Sequence, residues 1–238
     1  GRRFKSVPRN QFLMNKDQDT IYAINHYNFF DKIVFKKRLE ISNIINNIIK
    51  DLQIHDALDI GTTSDDKNAS SNIIIKNIKN IDNFKCISDQ IVSSDFFNKK
   101  LKKSITEEFS NNELYEFSSD LVVSNATIEH VGNTLNQKKM LENVIKLTKK
   151  IFVITTPNKF YPIELHTKIP LIHWFPKSIY RKILKFLGLS FYANEENLNL
   201  LSINELKKML DNYKIEYEIR FIKLFFFKSN IIIIGKKI

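Results

Sequence analysis

Asp120-Leu121-Val122-Val123-Ser124-Asn125-Ala126-Thr127-Ile128-Glu129-His130-Val131-Gly132 carries two signals in thirteen residues. The first part, Leu121-Val122-Val123-Ser124, is a compact apolar run between polar flanks, as a strand buried on both faces requires. The second part packs amide, hydroxyl, carboxylate and imidazole directly behind that strand. Loops with this much polar chemistry at a strand end are disproportionately functional. His130, with an unperturbed pKa near ~6.5, suits proton transfer at neutral pH; a helix cap or a bond to a nearby carbonyl is the structural alternative.

Working outward, strand and helix patterns alternate. Upstream, Ile41, Ile44, Ile45, Ile48, Ile49 and Leu52 fall at the spacing of an amphipathic helix. Asp56-Ala57-Leu58-Asp59-Ile60-Gly61 follows as a short buried strand ending in a turn, and Phe84-Lys85-Cys86-Ile87-Ser88 as a second. Downstream, Thr134 and Gln137 have the spacing of a capping box, before a helix striped by Met140, Leu141, Val144 and Ile145. Ile151-Phe152-Val153-Ile154 is the next strand, stopped at Pro157. Ser202 and Glu205 make a second capping box, opening a helix through Leu206, Met209 and Leu210. Two closing strands, around residues 215–221 and 231–234, are expected to join through Lys228-Ser229-Asn230. Alternation of this kind predicts crossover connections and an α/β fold with a mainly parallel sheet, closed by an edge hairpin.

Bulk properties narrow the class. The 238 residues suffice for one large domain, and 43% hydrophobic with 26% charged residues is ordinary globular composition. Residues 1–35 are read as an N-terminal arm or lid, and 36–238 as the main domain with a substrate-side insert at about 158–200. Cys86 is the single cysteine, which excludes an intrachain disulfide and a cysteine-based zinc site. His166 and His173 lack the spacing of a helical metal pair, so no metal is expected. The first residues form no apolar signal segment, and no apolar run reaches the ~18 residues that cross a bilayer. A cytoplasmic protein is expected, with at most peripheral contact at the inner membrane face. The net charge of +11 attracts phosphate in principle. The lysines are nevertheless spread along the chain among plentiful Ile and Asn, as AT-rich coding would produce, and a nucleic-acid partner is not expected.

In a parallel sheet of this kind ligands bind beyond the carboxyl ends of the strands. That selects Asp59-Ile60-Gly61-Thr62-Thr63-Ser64-Asp65, where Gly61 permits close backbone approach and Asp59 can accept from an ammonium or hydroxyl group. It selects Ser88-Asp89, where a carboxylate can take both ribose hydroxyls of a nucleotide. It selects the loop after Ser124, and finally Thr155-Thr156-Pro157-Asn158-Lys159-Phe160-Tyr161-Pro162-Ile163-Glu164-Leu165-His166-Thr167. The last is punctuated by proline and aromatics and runs on through His173-Trp174-Phe175-Pro176, as a substrate lid would. The structural alternatives are a plain strand-to-loop turn at Asp59–Asp65 and a solvated loop acid at Asp89.

Taken together, from about Ala57 onward, these stretches resemble a class I S-adenosylmethionine-dependent methyltransferase, in the small-molecule branch related to the ubiquinone and menaquinone methyltransferases. Residues 120–132, Thr155-Thr156-Pro157-Asn158 and Leu58-Asp59-Ile60-Gly61 carry the resemblance. It implies a Rossmann-like sheet of seven strands with an antiparallel last strand and helices on both faces. It implies S-adenosylmethionine as cofactor, leaving as S-adenosylhomocysteine. Asp59, Gly61 and Thr62 would lie along its methionine part, Asp89 near the ribose, and Asn125 with Ala126 beneath the sulfonium. Glu129 and His130 would face the methyl acceptor as candidate bases, with Tyr161, Glu164, His166 and Trp174 lining its side. Asn125-Ala126-Thr127-Ile128 stands where nucleic-acid amino methyltransferases carry Asn-Pro-Pro-Tyr, which favours a small-molecule or lipid-linked acceptor. Residues 169–192 mix aromatics with lysine and arginine, as either an interfacial amphipathic helix or one packed on its own domain does. The loop after Gly61 lacks the family's second glycine, and Ser104–Glu116 shows no acidic adenine motif. The alternative is therefore a catalytically degenerate cofactor-binding or structural relative.

Overall fold

A computed structural model describes residues 29–64 and 70–237. It contains one seven-stranded sheet in the order β3-β2-β1-β4-β5-β7-β6. In chain order the elements are α1 (Phe29–Ile49), β1 (Asp56–Ile60), α2 (Ile73–Lys76), β2 (Asn83–Ser88), β3 (Lys99–Lys102), α3 (Asn111–Phe117) and β4 (Ser119–Asn125). There follow a 3₁₀ turn (Ile128–His130), α4 (Thr134–Leu147), β5 (Thr148–Pro157), a second 3₁₀ turn (Ile172–Trp174), α5 (Lys177–Phe186) and α6 (Ser190–Ala193). The chain closes with α7 (Ile203–Leu210), β6 (Ile215–Leu224) and β7 (Phe227–Lys237). Strands β1 to β5 pair parallel, and β7 runs antiparallel between β5 and β6. The expected Rossmann-like sheet with its antiparallel last strand is present. Of the arm expected over residues 1–35, residues 1–28 lie outside the described residues, and the rest begins α1.

The period-2 pattern explains why the sheet has helices on both faces. Ala57, Val123, Val153 and Ile232 point to one side, where Ile41, Ile45 and Ile49 of α1 and Ile74 and Ile75 of α2 cover them. Leu58, Ile60, Val122, Phe152 and Ile154 point to the other, under Met140, Leu141, Val144 and Leu147 of α4 and Leu206, Met209 and Leu210 of α7. Buried on both faces, the central strands read as continuous apolar runs. The buried Lys85–Asp56 ion pair at 2.7 Å ties β2 to the start of β1, and Asp56 Oδ1 also accepts from the Asp120 backbone N–H on β4.

Several local expectations are corrected. Helix α1 ends at Ile49, leaving Leu52 in the following turn at 36% exposure. Asn133, not Thr134, caps α4, its side chain accepting from the Leu135 and Asn136 N–H groups. Gln137 is buried and donates to the carbonyls of Ile128 and Asn199 instead of closing a box. The Ser202–Glu205 capping box is present as expected. The closing hairpin turns at Phe225-Phe226, with Leu224 opposite Phe227, so that residues 228–230 belong to β7. Phe225 adopts φ 54 there, the left-handed geometry that a two-residue hairpin turn demands.

Candidate active site

Strand order reverses beside β1, since β2 and β3 extend to one side and β4 and β5 to the other. Ligands of open α/β sheets bind at such a switch point, outside the carboxyl ends of the strands. Asp59, Gly61, Thr62 and Asp89 stand at the carboxyl ends of β1 and β2, on one side of this switch point. Asp59 is buried, and its Oδ2 accepts a 2.7 Å hydrogen bond from Thr62 Oγ1. Burial pushes its carboxyl up to about 6, and the Thr62 hydroxyl only partly offsets this. Gly61 has φ +80, donates its N–H to Ile87 O, and leaves room for Thr127: a Cβ at this position would lie 2.2 Å from Thr127 Oγ1. Thr62 is itself buried and its carbonyl accepts from Ser88 Oγ at 2.8 Å, so the ends of β1 and β2 are laced together. Asp89 stands exposed just past β2.

On the other side, Asn125 ends β4 and its Oδ1 accepts from Thr155 Oγ1 of β5 at 2.6 Å. Ala126 follows at φ 52 with its N–H on the Thr155 carbonyl. Left-handed backbone at a non-glycine residue costs of order 1–2 kcal/mol and is characteristically retained where a turn must be held in one shape. This turn drops the next residues into the 3₁₀ turn that carries Glu129 and His130.

There four ionisable groups meet. Glu129 is fully buried; its Oε2 accepts from Thr156 Oγ1 at 2.9 Å, while Oε1 has no hydrogen-bond partner. His130 Nδ1 lies 2.7 Å from the Asn197 carbonyl, an acceptor, so Nδ1 carries the proton. His130 Nε2 then faces His166 Nε2 at 3.1 Å. His166 Nδ1 lies 2.7 Å from Glu164 Oε1, and the Thr167 N–H supports the other oxygen at 2.6 Å. A tight loop presents this pair: the Ile163–Pro170 bridge and the bond from Lys168 N–H to Glu164 O close it.

The electrostatics follow. Burial lowers the pKa of His130; the Glu129 charge opposes this, while His166 adds to the lowering. Burial would lower His166 too, but the hydrogen bond and charge of Glu164 outweigh it and raise the value. Glu164, which burial alone would raise, is held down at about 2 by His166 and the neighbouring N–H groups. A single proton between the two imidazoles therefore resides on His166, donated from Nε2 to His130.

The expected substrate side divides. Glu164 and His166 join Glu129 and His130, whereas Tyr161 is buried with its carbonyl accepting from His173 Nε2 at 2.7 Å. Trp174 is 45% exposed on the second 3₁₀ turn. Asn197 and Asn199 also belong to this site and carry no sequence signal. Asn199 donates its N–H to Glu129 O and its side-chain amide to Gly132 O, tying the segment before α7 to the loop after β4. Nothing in their spacing ties residues so far along the chain to Glu129.

No family model and no curated protein matches the chain. Solved structures do. They show that this sheet is the Rossmann-like fold of S-adenosylmethionine-dependent methyltransferases. Magnesium protoporphyrin IX methyltransferase from Synechocystis PCC 6803, with bound S-adenosylhomocysteine, aligns with a TM-score of 0.57 at 13% identity, covering 92% of this chain and 91% of that one. The same enzyme with bound S-adenosylmethionine gives 0.54 at 9% identity over 91% and 88%. An S-adenosylmethionine-dependent methyltransferase from Archaeoglobus fulgidus gives 0.53 at 15% identity over 89% and 100%.

Proposed function

We propose that the chain binds S-adenosylmethionine across the β1–β4 switch point and transfers its methyl group to a small-molecule or lipid-linked acceptor. The observation that carries this reading is Asp59: a buried carboxylate at the end of β1 whose hydrogen-bond partner is a hydroxyl rather than a cation. Its ionised form is short of positive charge, and an ammonium group supplies it. Gly61 and the Ala126 turn let backbone approach a ligand closely on either side, and exposed Asp89 stands where ribose hydroxyls would reach. The fold shared with structures that hold S-adenosylmethionine or its product supports the same placement.

The cofactor, when bound, supplies an electrophilic methyl on a good leaving group, so positioning provides much of the rate. Asn125 and Ala126 hold the floor of the site. Once the shared proton has left the imidazole pair, His130 Nε2 takes the acceptor's proton, with Asn197 and Glu164 holding the two rings in their tautomers. Glu129 Oε1 is the second candidate base. An acceptor with a lipid portion is favoured by the exposed Trp174, Phe175, Ile179, Phe186 and Leu187 around α5, beside the exposed Lys182 and Lys185. The opposite face of α5 packs through Tyr180 and Leu184.

Calorimetric titration of the full chain with S-adenosylhomocysteine tests the cofactor claim. Saturable one-to-one binding that Asp59→Ala weakens supports it; a flat titration removes it.

A further inference from the structure

We propose that Glu129 Oε1, His130 Nε2 and His166 Nε2 form a binding site for one divalent transition-metal ion of the zinc class. This goes beyond the methyl-transfer reading and does not depend on it. The three donor atoms lie within 4.8 Å of one another, with the two imidazole nitrogens 3.1 Å apart and His130 Nε2 3.9 Å from Glu129 Oε1. Tetrahedral zinc with bonds of ~2.0–2.1 Å sets its donors about 3.3 Å apart, so movements of the order of 1 Å close the site.

What distinguishes this cluster from chance proximity is that every donor is already aimed by its other atom. His130 Nδ1–H goes to the Asn197 carbonyl and His166 Nδ1–H to the Glu164 carboxylate. Thr156 Oγ1 occupies Glu129 Oε2. Once the proton shared by the imidazoles is displaced from His166 Nε2, each arrangement leaves a lone pair at the convergence point, and a carboxylate or carbonyl behind a ligating histidine is the usual support of a metal site. Glu129 Oε1 is fully buried with no hydrogen-bond partner, a state that costs of order 1–3 kcal/mol unless something is bound there. Two lone-pair-bearing imidazole nitrogens at this distance repel unless a cation, a proton or a metal ion, sits between them. Two nitrogens and one carboxylate favour zinc-class ions over magnesium or calcium. Three protein ligands leave a fourth position for an oxygen ligand, and the two histidine side chains are 21% and 15% exposed, so ligand exchange is open.

The test uses the full chain freed of metal with a chelator and titrated with Co²⁺, read by its visible ligand-field bands, then displaced by Zn²⁺. One equivalent of Co²⁺ in a low-symmetry nitrogen–oxygen environment is expected. His166→Ala and Glu129→Gln should each weaken binding by about 100-fold or more, exceeding the loss typical of a supporting residue, with circular dichroism unchanged. His55→Ala, exposed just before β1, should bind as wild type. Absence of stoichiometric binding to the wild-type chain overturns the proposal and leaves the pair sharing a proton. Binding that survives both ligand substitutions overturns it as well. Neither failure touches the S-adenosylhomocysteine titration, which is run without metal.

Discussion

Replacing Asp59 by Asn should stabilise the ligand-free protein at neutral pH while removing cofactor binding. Burial lifts the Asp59 carboxyl from its ordinary 3.8 to about 6, against the opposing Thr62 hydrogen bond. The folded state therefore binds this proton more tightly than the unfolded chain. Its contribution to stability is fully present below the unfolded pKa and is lost as pH rises through the folded one. A displacement of roughly two pH units amounts to roughly 3 kcal/mol, at 1.36 kcal/mol per unit. The Cys86 thiol, opposite Asp59 in the β1–β2 register, stays protonated throughout this window: burial, and then the Asp59 charge, push it up to about 12. Urea unfolding of wild type and Asp59→Asn at intervals from pH 4 to pH 7 isolates the effect, because all other groups cancel in the difference. The variant should gain on wild type by up to roughly 3 kcal/mol across this range, most steeply between pH 4 and 6. Calorimetry at pH 7.5 should meanwhile show loss of S-adenosylhomocysteine binding. A stability difference independent of pH would refute the buried, cation-poor carboxylate on which the cofactor site rests.

Gly61→Ala should cost at least about 2 kcal/mol, combining left-handed backbone with the 2.2 Å approach to Thr127, and is read as a lower urea midpoint. Asp56→Asn leaves the Lys85 ammonium buried without its partner and should cost about 3–5 kcal/mol. Although burial alone would raise the Asp56 pKa, Lys85 and the Asp120 N–H lower it, so this stabilisation is present at neutral pH and lost as pH falls through the acid range, which an acid-unfolding titration checks. Sedimentation with anionic vesicles should retain the chain more than neutral vesicles do, and Phe186→Asp, at a residue 90% exposed, should reduce that retention; equal sedimentation with both lipids would exclude the membrane-facing role of α5.

The parts of the fold legible in the sequence were those whose signal is local. Val122 and Val123 sit in an uninterrupted apolar run because both faces of β4 are covered, and the Ser202–Glu205 box is a chemical pattern three residues long. Strand β3 escaped notice because Lys99-Lys100-Leu101-Lys102 is an exposed edge, where lysines discourage further pairing rather than announce a strand. Gln137 imitates a capping residue by spacing, yet its amide is spent on two carbonyls brought in by tertiary packing. The site follows the same division. Asp59, Gly61 and the Asn125–His130 loop could be placed because a buried strand leads directly into each. The contact between His130 and His166 spans 36 residues and depends on a loop closed by the Ile163–Pro170 bridge, which no periodicity encodes. That pairing turned a histidine expected to line a substrate pocket into a partner of the candidate base. It also set Glu129 Oε1 and the two imidazole nitrogens within 4.8 Å of one another, a proximity that residues 36 apart do not announce.

Whether the β1–β4 switch point holds a cofactor is decided by a crystal structure of the chain grown with S-adenosylhomocysteine. Ligand density is expected between Gly61 and Ala126, with the amino group of its methionine portion on Asp59 and its ribose within reach of Asp89. Well-ordered crystals from saturating ligand showing that crevice empty, or the ligand elsewhere on the surface, would contradict it.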